Sequence, residues 1–182
     1  MAKAKTKTKT TTRAGNAAKK PAMQAKLPAK RTARLPAATA VVSDSARSNK
    51  DIYRRFVDEV LNAGNYEVAL QLLDPIVVSH SPLPEQQPGA AGFIASLTAM
   101  RKAFPDLRAV ATHFVAEGEL VAARFQVTAT HSGDFFGIRA TGRKIHYEEQ
   151  AVVRFAGGRI VEHWAVADGL SILQQLGGEI PH

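Results

Sequence analysis

The chain predicts an α+β fold, with helices packed on one face of a curved, mostly antiparallel sheet. Apolar residues recur at helical spacing as far as Phe104, and after Pro105-Asp106 the period changes from 3.6 to 2. The β-patterned runs that follow are consecutive and joined by short turns, as in hairpins. No internal repeat interrupts this order.

Each element has its own signal. Ser48 or Asn49 can cap a helix beginning DIYRRFVDEVL, where Ile52, Phe56, Val57, Val60 and Leu61 share a stripe and Asp51 favours the first-turn dipole. Ala63-Gly64-Asn65 ends it, and the shorter helix YEVALQLL stops before Asp74-Pro75. An apolar run, Ile76-Val77-Val78, leads into Ser79-His80-Ser81-Pro82 and a Pro/Gln/Gly loop ending at Gly89. A third helix, about Ala90 to Phe104, aligns Phe93, Leu97, Met100 and Phe104. Four β runs follow, Leu107–Ala116, Leu120–Thr130, Arg143–Phe155 and Arg159–Ala167. Glu117-Gly118-Glu119, the 131–142 loop and Ala156-Gly157-Gly158 connect them. A short helical end, LSILQQLG, closes the pattern.

Charge divides the chain in two. Residues 1–34 hold 11 of the 24 Lys and Arg and none of the 16 Asp and Glu, so the remainder carries 13 basic and 16 acidic groups, a net of −3. The first segment, residues 1–45, is rich in Lys, Ala, Thr and Pro and poor in large apolar residues, which predicts disorder. It reads as a solvated tail, as an arm for nonspecific contact with nucleic acid through phosphates, or as a transit peptide. It has no aromatic residue to stack on bases. Residues 46–182 form the predicted folded domain. With no cysteine, disulfides, a thiolate nucleophile and Cys-ligated metals are excluded. No apolar run approaches the roughly 20 residues that span a bilayer, and the start lacks the apolar core of a secretory signal. The expectation is a soluble, cytoplasmic protein that does not engage a membrane.

The chemistry-bearing residues cluster toward the end. If the last β run alternates regularly, Ile160, Glu162, Trp164, Val166 and Asp168 share one face and His163 points to the other. An acid beside Trp164 in an apolar pocket would have its pKa raised and could serve as acid or base. Asp168 before Gly169 equally suits a helix N-cap. His80, at a candidate pocket mouth, is a candidate catalytic residue beside Asp168, and His131 is either a turn residue or part of a wall. Phe125 is a candidate wall residue. In the third β run His146, Glu148 and Gln150 share one face, Tyr147, Glu149 and Ala151 the other, and the pattern of these six leaves open which points inward. A carboxylate or amide there would orient a carbonyl or enol. His146, Glu148 and Gln150 are the candidate pocket residues. The histidines lack HxH, HxxxH or HExxH spacing, so no metal site is expected. No Walker loop, dinucleotide glycine fingerprint or G-x-S-x-G elbow occurs either.

The segments NKDIYRRFVDEVLNAGNYE, SHSPLPEQQPGAAGF, AFPDLR, THSGDFFGIRATGRKI and GGRIVEHWAVADGLSILQQLGG, in this order, resemble the SnoaL-like polyketide cyclases, also called ester cyclases, of the nuclear-transport-factor-2-like superfamily. The resemblance spans about residues 49–178. It implies a cone-shaped α+β barrel, a bent sheet on three helices around an apolar pocket, with homodimers formed through the sheet. It also implies an intramolecular aldol closure of a polyketide methyl ester, without cofactor or metal, using a pocket Asp. Asp168 is the position that best matches that acid, and His80 and His131 match positions that face or border the pocket. Arg139-Ala140-Thr141-Gly142 stands where the family commonly has PPTG. The expected ligand is a small, apolar carbonyl compound. A noncatalytic ligand-binding domain of the same fold is the other reading that the resemblance allows.

Overall fold

The computed structural model describes residues 44–178. The predicted tail lies outside the described residues except for Asp44 and Ser45, which open the first helix, α1 (Asp44–Arg55). The helix therefore begins a turn earlier than Ser48 or Asn49. Ser45-Ala46-Arg47 is compatible with a helix, and Ala46 is buried there. Asp44 lies in the first turn, where the helix dipole favours its charge. α1 then widens into a π-helical segment, Phe56–Asn62, which buries Phe56, Val57 and Val60. Side chains hold its end in place. Asn62 donates to the Ala109 carbonyl at 3.0 Å and accepts from the Ala109 N–H at 2.8 Å. The Arg101 guanidinium donates to the carbonyls of Leu61 and Asn62, which a π-helical end leaves without helical partners.

Asn65 caps α2 (Tyr66–Leu72), accepting from the Val68 N–H at 3.3 Å. The chain passes directly into β1 (Leu73–Ser79), longer than the Ile76–Val78 run alone suggests, and returns as α3 (Gly89–Ala103). The meander follows: β2 (Arg108–Glu117), β3 (Leu120–Thr130), β4 (Lys144–Ala156) and β5 (Arg159–Ala167), then α4 (Gly169–Leu176). The sheet order is β1-β5-β4-β3-β2, antiparallel throughout except for the parallel β1–β5 pair.

One irregularity decides which residues face the helices. β4 and β5 pair Phe155 with Ile160 but Arg154 with Glu162, so Val161 is an extra residue on β5. Such a bulge reverses the alternation beyond it. Ile160 is buried on the helix side. Past the bulge that side belongs to His163, Ala165 and Ala167, and Glu162, Trp164 and Val166 turn to the other. β4 has no such break between Ile145 and Val153, and its inward row is Ile145, Tyr147, Glu149, Ala151 and Val153. The helices cover this row with Tyr53, Phe56 and Phe93, which join the strands in one apolar core.

Candidate active site

Sheet and helices do not close completely on each other. Between them lies a cavity of about 530 Å³. Phe56, Phe93, Phe104, Phe125 and Phe135 form much of its wall, and no Lys, Arg or Asp lines it among the described residues. Two loops complete it. The 80–88 loop supplies Ser81, Leu83 and Gln86, and the 131–142 loop supplies Phe135, Phe136 and Ile138. Both loops approach α3 closely. A Cβ at Gly92 would come within 1.8 Å of the Gln87 carbonyl oxygen, and one at Gly133 within 2.5 Å of that of Lys102. Only glycine permits either approach. The exposed lining positions Ser81, Phe136, Ala167 and Gly169 mark a mouth between these loops and the start of α4.

Against this hydrocarbon, two titratable groups of opposite type stand out. Glu149 projects from β4 into the cavity with no hydrogen bond or ion pair among the described residues. Loss of water raises its carboxyl to about 7, since nothing nearby stabilises the anion. His163 projects from β5, its ring edge-to-face with Phe93 at 5.0 Å, and its Nδ1 is buried without a partner. Burial first, and the His80 charge second, lower it to about 4, so the imidazole is neutral at pH 7. Glu149 pairs across the sheet with Ala167, four residues beyond His163 on β5, about 13 Å of strand. The inward residues between, Ala165 and Ala167, are small and leave room over that stretch. Tyr53 and Tyr147 also line the cavity, and their phenols are held neutral by burial and then by the nearby Glu149 charge.

The candidates drawn from sequence are distributed otherwise. Phe125 is in the wall. Asp168 is exposed and is the N-cap of α4, accepting from the Ser171 N–H at 3.0 Å; its side chain does not line the cavity. Trp164 faces away from the cavity and stacks on His80, with centroids 4.4 Å apart and planes 2° from parallel. His80 in turn meets Glu162 at 2.8 Å, and Glu162 also binds Arg154, so this group forms a polar cluster on the outer face. The bulge at Val161 is the physical reason that Trp164 and Asp168 lie on the outer side. His146, Glu148 and Gln150 are outward as well. Glu148 pairs with Arg124 at 2.5 Å, which holds its carboxyl below the usual range. His131 is fully buried behind the wall, 5.3 Å from the Phe104 ring, with its Nδ1 accepting from the Thr141 N–H at 3.3 Å and its Nε2 unpartnered. It anchors the 131–142 loop and does not line the cavity.

Glu149 and His163 are the ionisable cavity residues that the sequence reading did not select. The signal for Glu149 was present: Ile145, Val153 and Phe155 share its parity and are apolar. No signal in the sequence marked the bulge that brings His163 inward. Among the described residues no cluster of three His, Asp or Glu could hold a metal ion, and no helix is long and apolar enough to cross a membrane.

A cone of this kind, a bent sheet packed on helices around a mostly apolar cavity, defines a class of α+β folds. Within that class the chain belongs to the SnoaL-like polyketide cyclase family, whose model matches residues 51–176. It is 28% identical over 137 residues to the aklanonic acid methyl ester cyclase DnrD of Streptomyces peucetius, an alignment covering 72% of this chain and 92% of that one. Its fold matches IdmH of Streptomyces antibioticus with a TM-score of 0.63 at 31% identity, over 71% of this chain and 98% of IdmH. A Jannaschia sp. CCS1 protein at 22% identity shares the fold, with a TM-score of 0.68 over 76% of this chain and 97% of that one.

Proposed function

We propose that this protein is an acid/base enzyme that closes or isomerises a small, uncharged carbonyl compound inside the cavity, without a cofactor, and that Glu149 and His163 do the work. The observation that carries this reading is the environment of Glu149, a carboxyl desolvated to a pKa near neutrality in a cavity that offers it no cation. A base tuned near the working pH is what removal of a proton next to a carbonyl requires. In the cyclisation, the Glu149 carboxylate takes that proton, and the enolate carbon attacks a second carbonyl of the same molecule. One C–C bond forms, and the alkoxide produced takes a proton back. The sum moves one proton from carbon to oxygen with no change in overall oxidation state, so two side chains suffice. The neutral phenols of Tyr53 and Tyr147 are donors for the developing oxyanion, and His163 is a neutral proton donor or acceptor along the same row. An isomerase shares the first step and differs in where the proton returns.

The absence of Lys and Arg from the lining among the described residues favours an ester or ketone over a free acid, and fits the methyl ester named for the Streptomyces peucetius relative. The hydrocarbon wall also suits a noncatalytic ligand-binding role, and the test separates the two. Wild type, Glu149→Gln, His163→Gln and Asp168→Asn are incubated with β-keto esters and polyketide-like methyl esters, and products are followed by mass spectrometry. Conversion that falls about 10²- to 10⁴-fold in Glu149→Gln and is nearly unchanged in Asp168→Asn supports the reading, because Asn retains the cap. Conversion lost in Asp168→Asn and kept in Glu149→Gln would return the chemistry to Asp168. Ligand binding without turnover in wild type would favour the noncatalytic role.

A further inference from the structure

The cavity meets a second, smaller space of about 20 Å³, room for roughly one water. The two share a wall made of Leu61, Leu97, Met100 and Leu107. On the far side Val60, Tyr66 and Arg101 are added among the described residues. The Arg101 guanidinium is committed to backbone: it donates to Leu61, to Asn62 at 2.9 Å and to Pro105 at 3.1 Å. Its charge is therefore already engaged, and what the small space offers a visitor is mainly hydrocarbon.

Of the four partition residues three are leucines, branched and held on three different elements: the π-helical segment, α3 and the turn before β2. Met100 is the unbranched one. Three rotatable bonds and a polarisable thioether let methionine fill an irregular gap and leave it at low cost. The segment opposite, Phe56–Asn62, is π-helical, a rare geometry that is frequent at functional sites.

We propose that Met100 is the specificity-determining residue at this end of the cavity: it limits the length of the apolar substituent that the substrate can carry, and the space beyond it is a subsite for the end of an alkyl chain. The proposal rests on the reading of the cavity as the substrate site, and its test reads binding, not turnover. Met100→Ala joins the two spaces, and Met100→Phe fills the junction. Met100→Leu, which conserves volume, is the control.

The probe is a series of alkyl phenyl ketones of increasing chain length, with binding followed by titration calorimetry and folding of each variant checked by thermal melting. In wild type, affinity rises roughly fourfold per added methylene and then stops rising at one chain length. In Met100→Ala that break moves about two carbons longer, and the ketone two carbons beyond the wild-type break binds roughly fifteenfold tighter than to wild type. In Met100→Phe the break moves to shorter chains, and in Met100→Leu it stays. A break at the same length in folded Ala and Phe variants would overturn the subsite while leaving the roles of Glu149 and His163 standing. Failure of every ketone to bind any variant would remove the cavity reading on which both rest.

Discussion

The two faces of β4 and β5 carry similar residues and do opposite things with them. On the outer face Glu148 sits against Arg124 and Glu162 against Arg154 and His80, and their carboxyls are held below the ordinary range by these donors. On the inner face Glu149, one residue from Glu148, has no partner among the described residues and is raised to about 7 by burial. His80 is stacked on Trp164 in partial contact with water, whereas His163, on the strand beside it, is neutral and buried against Phe93. A carboxylate with a cation is stable and inert. One deprived of water and partner has a proton to exchange near pH 7. Residue type alone therefore says little here about chemistry; the side of the sheet decides.

Substitutions can sharpen or break this contrast. The largest expected effect is on turnover, with the hundredfold or greater loss in Glu149→Gln set against a near-silent Glu148→Gln on identical substrates. Next is the pH dependence of stability. The native state holds the Glu149 proton between pH 4.5 and about 7 and the unfolded chain does not. Wild type therefore loses up to about 3 kcal/mol relative to Glu149→Gln as pH rises through that window, measurable by denaturant melts at pH 5 and pH 8. A constant difference between the two proteins would contradict the burial account.

His163 runs the other way. The unfolded chain binds its proton between pH 6.5 and about 4 and the native state does not, so its contribution to stability falls on acidification through that range. Relative to His163→Gln, wild type should lose stability between pH 6.5 and pH 4 and change little between pH 7 and pH 8. The two windows overlap between pH 4.5 and 6.5, where wild type alone would hide both trends.

Smaller effects belong to the outer side. Asp168→Ala removes the α4 cap and should cost about 1 kcal/mol, read as a shifted denaturation midpoint with turnover reduced no more than in Asp168→Asn. Arg124→Ala breaks an exposed pair and should leave the denaturation midpoint nearly unchanged. A larger shift would show that the outer face does more than stay in water.

These contrasts also mark how far the sequence can be read. The switch of period after Phe104 located the sheet, and β3 and β5 have the ranges that alternation and the Gly157-Gly158 turn suggest. The inward row of β4 was left open and its candidates, His146, Glu148 and Gln150, fell on the wrong face, although Ile145, Val153 and Phe155 share the parity of Glu149. β5 was not legible. Reading inward from buried Ile160 leads by strict alternation to Trp164 and Asp168, and a single inserted residue, Val161, exchanges the faces. A bulge costs one residue and no distinctive composition, so nothing in RIVEHWAVAD signals it. The start of α1 was misplaced for a simpler reason: Ser48 and Asn49 make good caps, but Asn49 is buried and helix-compatible residues precede both.

The central claim is that the inner face holds a proton near neutral pH and the outer face does not. Carboxyl-¹³C NMR of protein labelled at glutamate, titrated from pH 3 to pH 9 with Glu149→Gln and Glu148→Gln to assign the signals, tests it directly. The account predicts one glutamate signal with its midpoint near 7 that vanishes in Glu149→Gln, and a Glu148 signal that titrates below the ordinary carboxylate range. A Glu149 signal with its midpoint near 4.5 would contradict it.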